Sequence, residues 1–148
     1  MRTVLLGVLI GLTVLFLGVN YVHVSGVEIE GGKTLDEHCY VTVTWQEPES
    51  GTSQLVELTG DQAAAFGKLL CGSHFFRTFS QQEIQPQQGQ VCYHIQVDFP
   101  GDADLLEIDS IDNSYIRFAG QYADHYLKIW SGDWETGLDA LVGRSSEA

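Results

Sequence analysis

Residues 39–45 read Cys-Tyr-Val-Thr-Val-Thr-Trp, and residues 91–99 read Val-Cys-Tyr-His-Ile-Gln-Val-Asp-Phe. Both stretches alternate apolar and polar residues, the period of a strand buried on one face. In the first, Cys39, Val41, Val43 and Trp45 point to a core while Tyr40, Thr42 and Thr44 point away. In the second, the alternation turns Cys92 outward. The surroundings follow the same logic. Pro48-Glu49-Ser50-Gly51 is a turn that returns the chain through Gln54 to Leu58. Residues 105–111, 115–118 and 126–130 are further short strands, separated by Pro100-Gly101-Asp102, Asp112-Asn113 and other tight connections. Residues 75–79 read as an extended piece. Residues 81–90 hold six Gln with Pro86 and Gly89 and read as a solvated loop.

Two segments carry a helical period instead. Ala63, Phe66, Leu69 and Leu70 form one stripe over residues 62–71, with Thr59-Gly60-Asp61 offering an N-cap and Gly72 a left-handed C-terminal residue. Trp134, Leu138, Leu141 and Val142 form another over residues 133–142. Tight turns make strand neighbours antiparallel, and one-sided helices must bury their stripes on a sheet. The expected fold is α+β: an antiparallel meandering sheet with two helices packed on one face.

The chain has 148 residues, 20 acids and 7 bases, a net charge of −13. Every acid lies at or after Glu28, so residues 27–148 alone carry −14. Such acidity argues against binding a nucleic-acid backbone or an anionic membrane surface through a basic patch. Residues 4–24 contain no Asp, Glu, Lys or Arg and follow Arg2. Twenty-one helical residues span about 30 Å, the hydrocarbon thickness of a bilayer. This is expected to be a transmembrane anchor with its N-terminus cytoplasmic and the following domain outside. A cleaved signal segment, cut after Val24-Ser25-Gly26, is the alternative and would give a secreted protein. Residues 1–26 are thus the anchor or signal, 27–37 a linker and 38–148 the extracytoplasmic domain.

The order of elements over residues 38–142 carries a resemblance. A hairpin, a Thr59-Gly60-Asp61-Gln62 to Phe66-Gly67-Lys68-Leu69-Leu70 helix, the Phe75-Phe76-Arg77-Thr78-Phe79 stretch and short strands ending in a capped helix resemble small membrane- or lipid-anchored extracytoplasmic domains of Gram-positive bacteria. Those domains are largely of unknown function. The resemblance implies a fold and a location and supplies no catalytic residue.

Three cysteines in an exported domain invite a disulfide. Cys71–Cys92 would close the Gln-rich loop; Cys39–Cys71, Cys39–Cys92 and no bond are the alternatives. His74 and His94 each lie close in sequence to a Cys, the ligand types of zinc, but the spacings form no recognised knuckle. The acids Asp98, Asp102, Asp104, Glu107, Asp109 and Asp112 read as a solvated face. No nucleophile elbow, zinc-protease helix or phosphate loop occurs. Tyr122, Tyr126, Trp130 and Trp134 cluster near the C-terminus and are the candidate interaction surface, since Trp and Tyr are favoured at interfaces. The expected function is non-enzymatic: a membrane-tethered interaction or accessory module with an extracytoplasmic protein partner and no cofactor. A metal-binding or hydrolytic enzyme using Cys and His, or a secreted inhibitor-like protein, are the alternatives.

Overall fold

The structure is a computed structural model that describes residues 2–22, 28–29, 33–77, 84–103, 105–119, 126–131 and 133–144. The two alternating stretches are strands β4 (Tyr40–Gln46) and β7 (Cys92–Asp98), and they pair with each other. Val41, Val43 and Trp45 face Val97, Ile95 and Tyr93 across that pairing, and all six are buried. Cys39 is buried beside them, while Tyr40 is exposed. β5 (Ser53–Leu58) forms a hairpin with β4, turning at Gly51, whose φ of 67° suits a residue without a Cβ.

From β7 the chain meanders outward through β8 (Leu106–Ile111), β9 (Tyr115–Phe118) and β10 (Leu127–Ser131), each antiparallel to the last. Strand β6 (His74–Arg77) breaks the sequence order. It pairs with β10 at the far side of the sheet from β5, carried there by helix α2 (Asp61–Gly72). Seven of the sheet's strands run β6-β10-β9-β8-β7-β4-β5, and the two-residue strand β1 (Tyr21–Val22) adds an eighth outside β6. Helix α2 and helix α3 (Trp134–Val142) bury their stripes in the one core that also takes the inward residues of the sheet. The α+β class and the antiparallel sheet are as expected; the sheet is a meander joined to a hairpin, with β6 inserted between β10 and β1.

The N-cap of α2 falls inside the expected Thr59-Gly60-Asp61 stretch, at Gly60, with φ 56° and no side-chain bond. Other local details differ from the sequence reading. Gly72 stays inside the helix, and Ser73 ends it in extended conformation with its hydroxyl donating to Leu69 O at 3.0 Å. Helix α3 is capped from a distance. The backbone N–H of Glu135 donates to Asn113 Oδ1 at 2.6 Å, so the β8–β9 turn holds the helix N-terminus. Asn113→Ala is expected to cost about 1 kcal/mol, the usual price of a lost cap, measurable as a lowered Tm of the full chain in detergent.

The expected linker at 27–37 is not a plain spacer. Strands β2 (Glu28–Ile29) and β3 (Lys33–Thr34) form a small antiparallel pair, and Leu35 is buried in the core. Its carbonyl oxygen sits 2.7 Å from where a Cβ on Gly67 would lie. Gly67→Ala must therefore shift backbone. It is expected to destabilise by about 1–3 kcal/mol despite the better helix propensity of Ala, as urea unfolding will show.

Helix α1 (Arg2–Asn20) precedes this, and strand β1 (Tyr21–Val22) follows it directly. β1 pairs with β6, so the chain enters the sheet immediately after the helix. The described side chains of α1 run from 4 to 19, and all are exposed. Among the described residues no helix is long and apolar enough to cross a membrane.

Candidate functional site

Two polar constellations stand on the sheet, one on each face. On the helix-covered face, Tyr93 and Asp139 are buried, and the Tyr93 hydroxyl donates to Asp139 Oδ1. Arg144, just beyond α3, places Nη1 3.2 Å from both Asp139 oxygens and Nε 3.4 Å from Glu47 Oε1. Trp45 Nε1 donates to the same Glu47 oxygen at 2.7 Å. The outer members of this chain of bonds, Trp45, Glu47 and Arg144, line a cleft of about 740 Å³, together with Gln54, Val56 and Val142. Gly143, at φ 72°, ends α3 in the left-handed region and turns Arg144 back over it, with the Arg144 N–H donating to Asp139 O at 2.9 Å. Burial, and then the hydrogen bond to Asp139, push the Tyr93 phenol well above its usual range. The network sets two carboxylates, Asp139 and Glu47, against the single guanidinium of Arg144. It works as a clasp between α3 and strands β4 and β7.

The opposite face bears a row crossing three neighbouring strands. His94 Nδ1 lies 2.7 Å from Asp109 Oδ1, and Arg117 Nε donates to Asp109 Oδ2 at 3.1 Å. The Tyr126 ring stacks on Arg117, 5.3 Å from its Cζ. Thr44 adds a bond from its hydroxyl to the His94 carbonyl at 3.1 Å. Burial works against the Asp109 charge, but the bonds from His94 and Arg117 outweigh it and hold the carboxyl below its ordinary value. A depressed folded-state value contributes stability above the unfolded pKa that is lost as pH falls through the folded one. Asp109→Asn is therefore expected to flatten the acid limb of the stability profile, read as Tm against pH from about 5 downward.

A His–carboxylate pair is the base half of a nucleophilic triad. Cys92 shares the face of His94, two residues away on β7. Its thiol, however, is pushed up by burial and then by Asp112 and Asp109, which works against the reactive thiolate. Burial raises Cys71 and Cys39 as well.

The expected site residues scatter. The Cys71–Cys92 disulfide is not formed: Cys39, Cys71 and Cys92 are in no disulfide bond. His74 and His94 do not converge, because β6 and β7 stand four places apart in the sheet, about 19 Å. Among the described residues no cluster of three His, Cys, Asp or Glu could hold a metal. Trp134 is corrected outright. It is fully buried, 6.0 Å from Phe66, and belongs to the core because it opens the apolar stripe of α3. Tyr122 and Asp104 lie outside the described residues. Tyr126 is half-buried on Arg117. Of the three described, Trp130 alone is strongly exposed, at 68%, with its ring 5.0 Å from Phe76.

No family model, curated protein or solved structure matches the chain.

The sequence reading missed the Tyr93–Asp139–Arg144 clasp. Its signals were present. Tyr93 takes the inward phase of β7, where a hydroxyl needs a partner, and Asp139 interrupts the apolar face between Leu138 and Val142.

Proposed function

We propose that the chain is a membrane-tethered accessory protein whose α+β domain lies outside the cell and works by interaction rather than catalysis. The observation that supports this is the state of α1. Its described residues include Leu5, Leu6, Leu9, Ile10, Val14 and Leu15, which are exposed and together go round every side of the helix. A helix apolar all round needs an apolar surrounding. The nineteen residues of α1 reach about 28 Å, just short of a hydrocarbon core of about 30 Å; in the sequence the uncharged run continues to Val24, and Arg2 precedes it. The two polar constellations join strands and helix to each other and place no activated nucleophile beside a base.

Alkaline carbonate extraction of the expressing cells, followed by N-terminal sequencing of the mature chain, tests this reading. The expected result is a chain retained in the pellet with its N-terminus intact. A chain beginning near Val27 and found in the medium would replace the tether with a secreted protein.

A further inference from the structure

The acidity of the chain is sorted within the sheet. The strands nearest α1 are β1, β6, β10 and β9, and the last three read His-Phe-Phe-Arg, Leu-Lys-Ile-Trp-Ser and Tyr-Ile-Arg-Phe. They hold Arg77, Arg117 and Lys128 and no acid, whereas β5, β7 and β8 hold Glu57, Asp98, Glu107 and Asp109 and no Lys or Arg. Resting on the tether proposed above, we infer that the edge formed by Phe76, Arg77, Lys128 and Trp130 sits in the headgroup region of the same bilayer that holds α1.

The connection to the helix carries this. Tyr21 follows α1 directly and is the register partner of Phe76. Lys128 is in turn the partner of Phe76 on β10. At the strand spacing of about 4.8 Å, Phe76 lies one strand and Lys128 two strands from the end of the helix, within about 10 Å. That is the reach of the headgroup layer beside a spanning helix. The side chains fit that place. β10 advances from Ile129 to Ser131 while β6 advances from Phe75 to His74, so Trp130 is the extra residue of a bulge. Bulges re-aim side chains, and this one leaves Trp130 exposed against Phe76, on the edge that also carries exposed Lys128 and Arg77. Trp with Lys or Arg is the pairing that membrane–water interfaces favour: the ring takes the boundary and the cation takes lipid phosphate. A net charge of −13 hides this edge because the acids are carried elsewhere.

The test uses the full chain reconstituted into phosphatidylcholine–phosphatidylglycerol vesicles whose acyl chains are brominated near the headgroup. Trp45 and Trp134 are buried, so quenching by shallow bromine reports Trp130. Wild type is expected to be quenched and Trp130→Phe to lose that quenching. Arg77→Glu with Lys128→Glu is expected to reduce it at least twofold in anionic vesicles. A chain that resists carbonate extraction from the vesicles yet shows no quenching of Trp130 overturns the inference and leaves the tether standing. A chain that carbonate releases overturns the tether, and this inference falls with it.

Discussion

Asp139→Ala is expected to destabilise the domain by about 3–5 kcal/mol, a fall in Tm of about 10–20 °C. Asp139 is only 2% exposed and accepts from both the Tyr93 hydroxyl and the Arg144 guanidinium. Truncating it leaves the buried Tyr93 phenol without its acceptor and the mostly buried Arg144 cation with Glu47 alone. The cost is chiefly the desolvation of those two groups, and it exceeds the net worth of the intact bonds. A triple replacement separates the two quantities. With Tyr93→Phe and Arg144→Met added, no polar group is stranded, and most of the lost stability is expected to return. If the triple variant is as unstable as Asp139→Ala alone, the loss came from packing rather than from orphaned polar groups. The clasp also sets a pH dependence. A phenol raised above its unfolded value, about 10, gives stability that is complete below that pH and lost as pH rises. Tyr93→Phe should remove this alkaline loss, read as Tm against pH from about 9 upward.

Trp134→Ala is expected to lose about 3–5 kcal/mol, through a cavity rather than a charge. Trp134 is fully buried at the start of α3, with its ring edge-on to Phe66 of α2, so it joins the two helices. The same helices meet again where Leu69 packs on Gly137. Collapse into the void is limited because the sheet below is rigidly paired. Trp134→Phe should lose much less. It keeps most of the volume and removes the indole Nε1–H, which is buried without a hydrogen-bond partner among the described residues. A loss for Phe equal to that for Ala, in urea unfolding with near-UV circular dichroism, would mean that this volume does not support the helix pair.

Much of the fold was legible because its signals are local. Strict alternation at 39–45 and 91–99 gave both the strands and their inward phase, and the stripes at Ala63–Leu70 and Trp134–Val142 gave the helices. Where information had to travel along the chain, the reading stopped. Nothing near His74–Arg77 says that α2 will deliver β6 to the edge beside β10. Arg77, Arg117 and Lys128 therefore looked like isolated bases in an acidic chain, and anionic lipid was discounted. Only the sheet order brings Arg77 and Lys128 together near one edge, with Arg117 on the next strand held by Asp109. The histidines failed for the same reason in reverse: neighbours of cysteines in sequence, they stand on strands far apart. Asp139 was passed over because helical periodicity weighs apolar residues and treats an acid as solvent-facing, although its position lies on the buried face. The N-cap of α2 fell within the stretch read for it, at Gly60, whereas the cap of α3 depends on the distant Asn113, which no local capping rule contains.

Protease treatment of intact cells, followed by carbonate extraction, tests the central claim of an outward-facing tethered domain most directly. Cleavage should remove the α+β domain and leave in the membrane a protected fragment reaching from Met1 to about residue 24. A full-length chain protected until the cells are lysed would contradict the topology, and a chain that carbonate releases whole would contradict the tether.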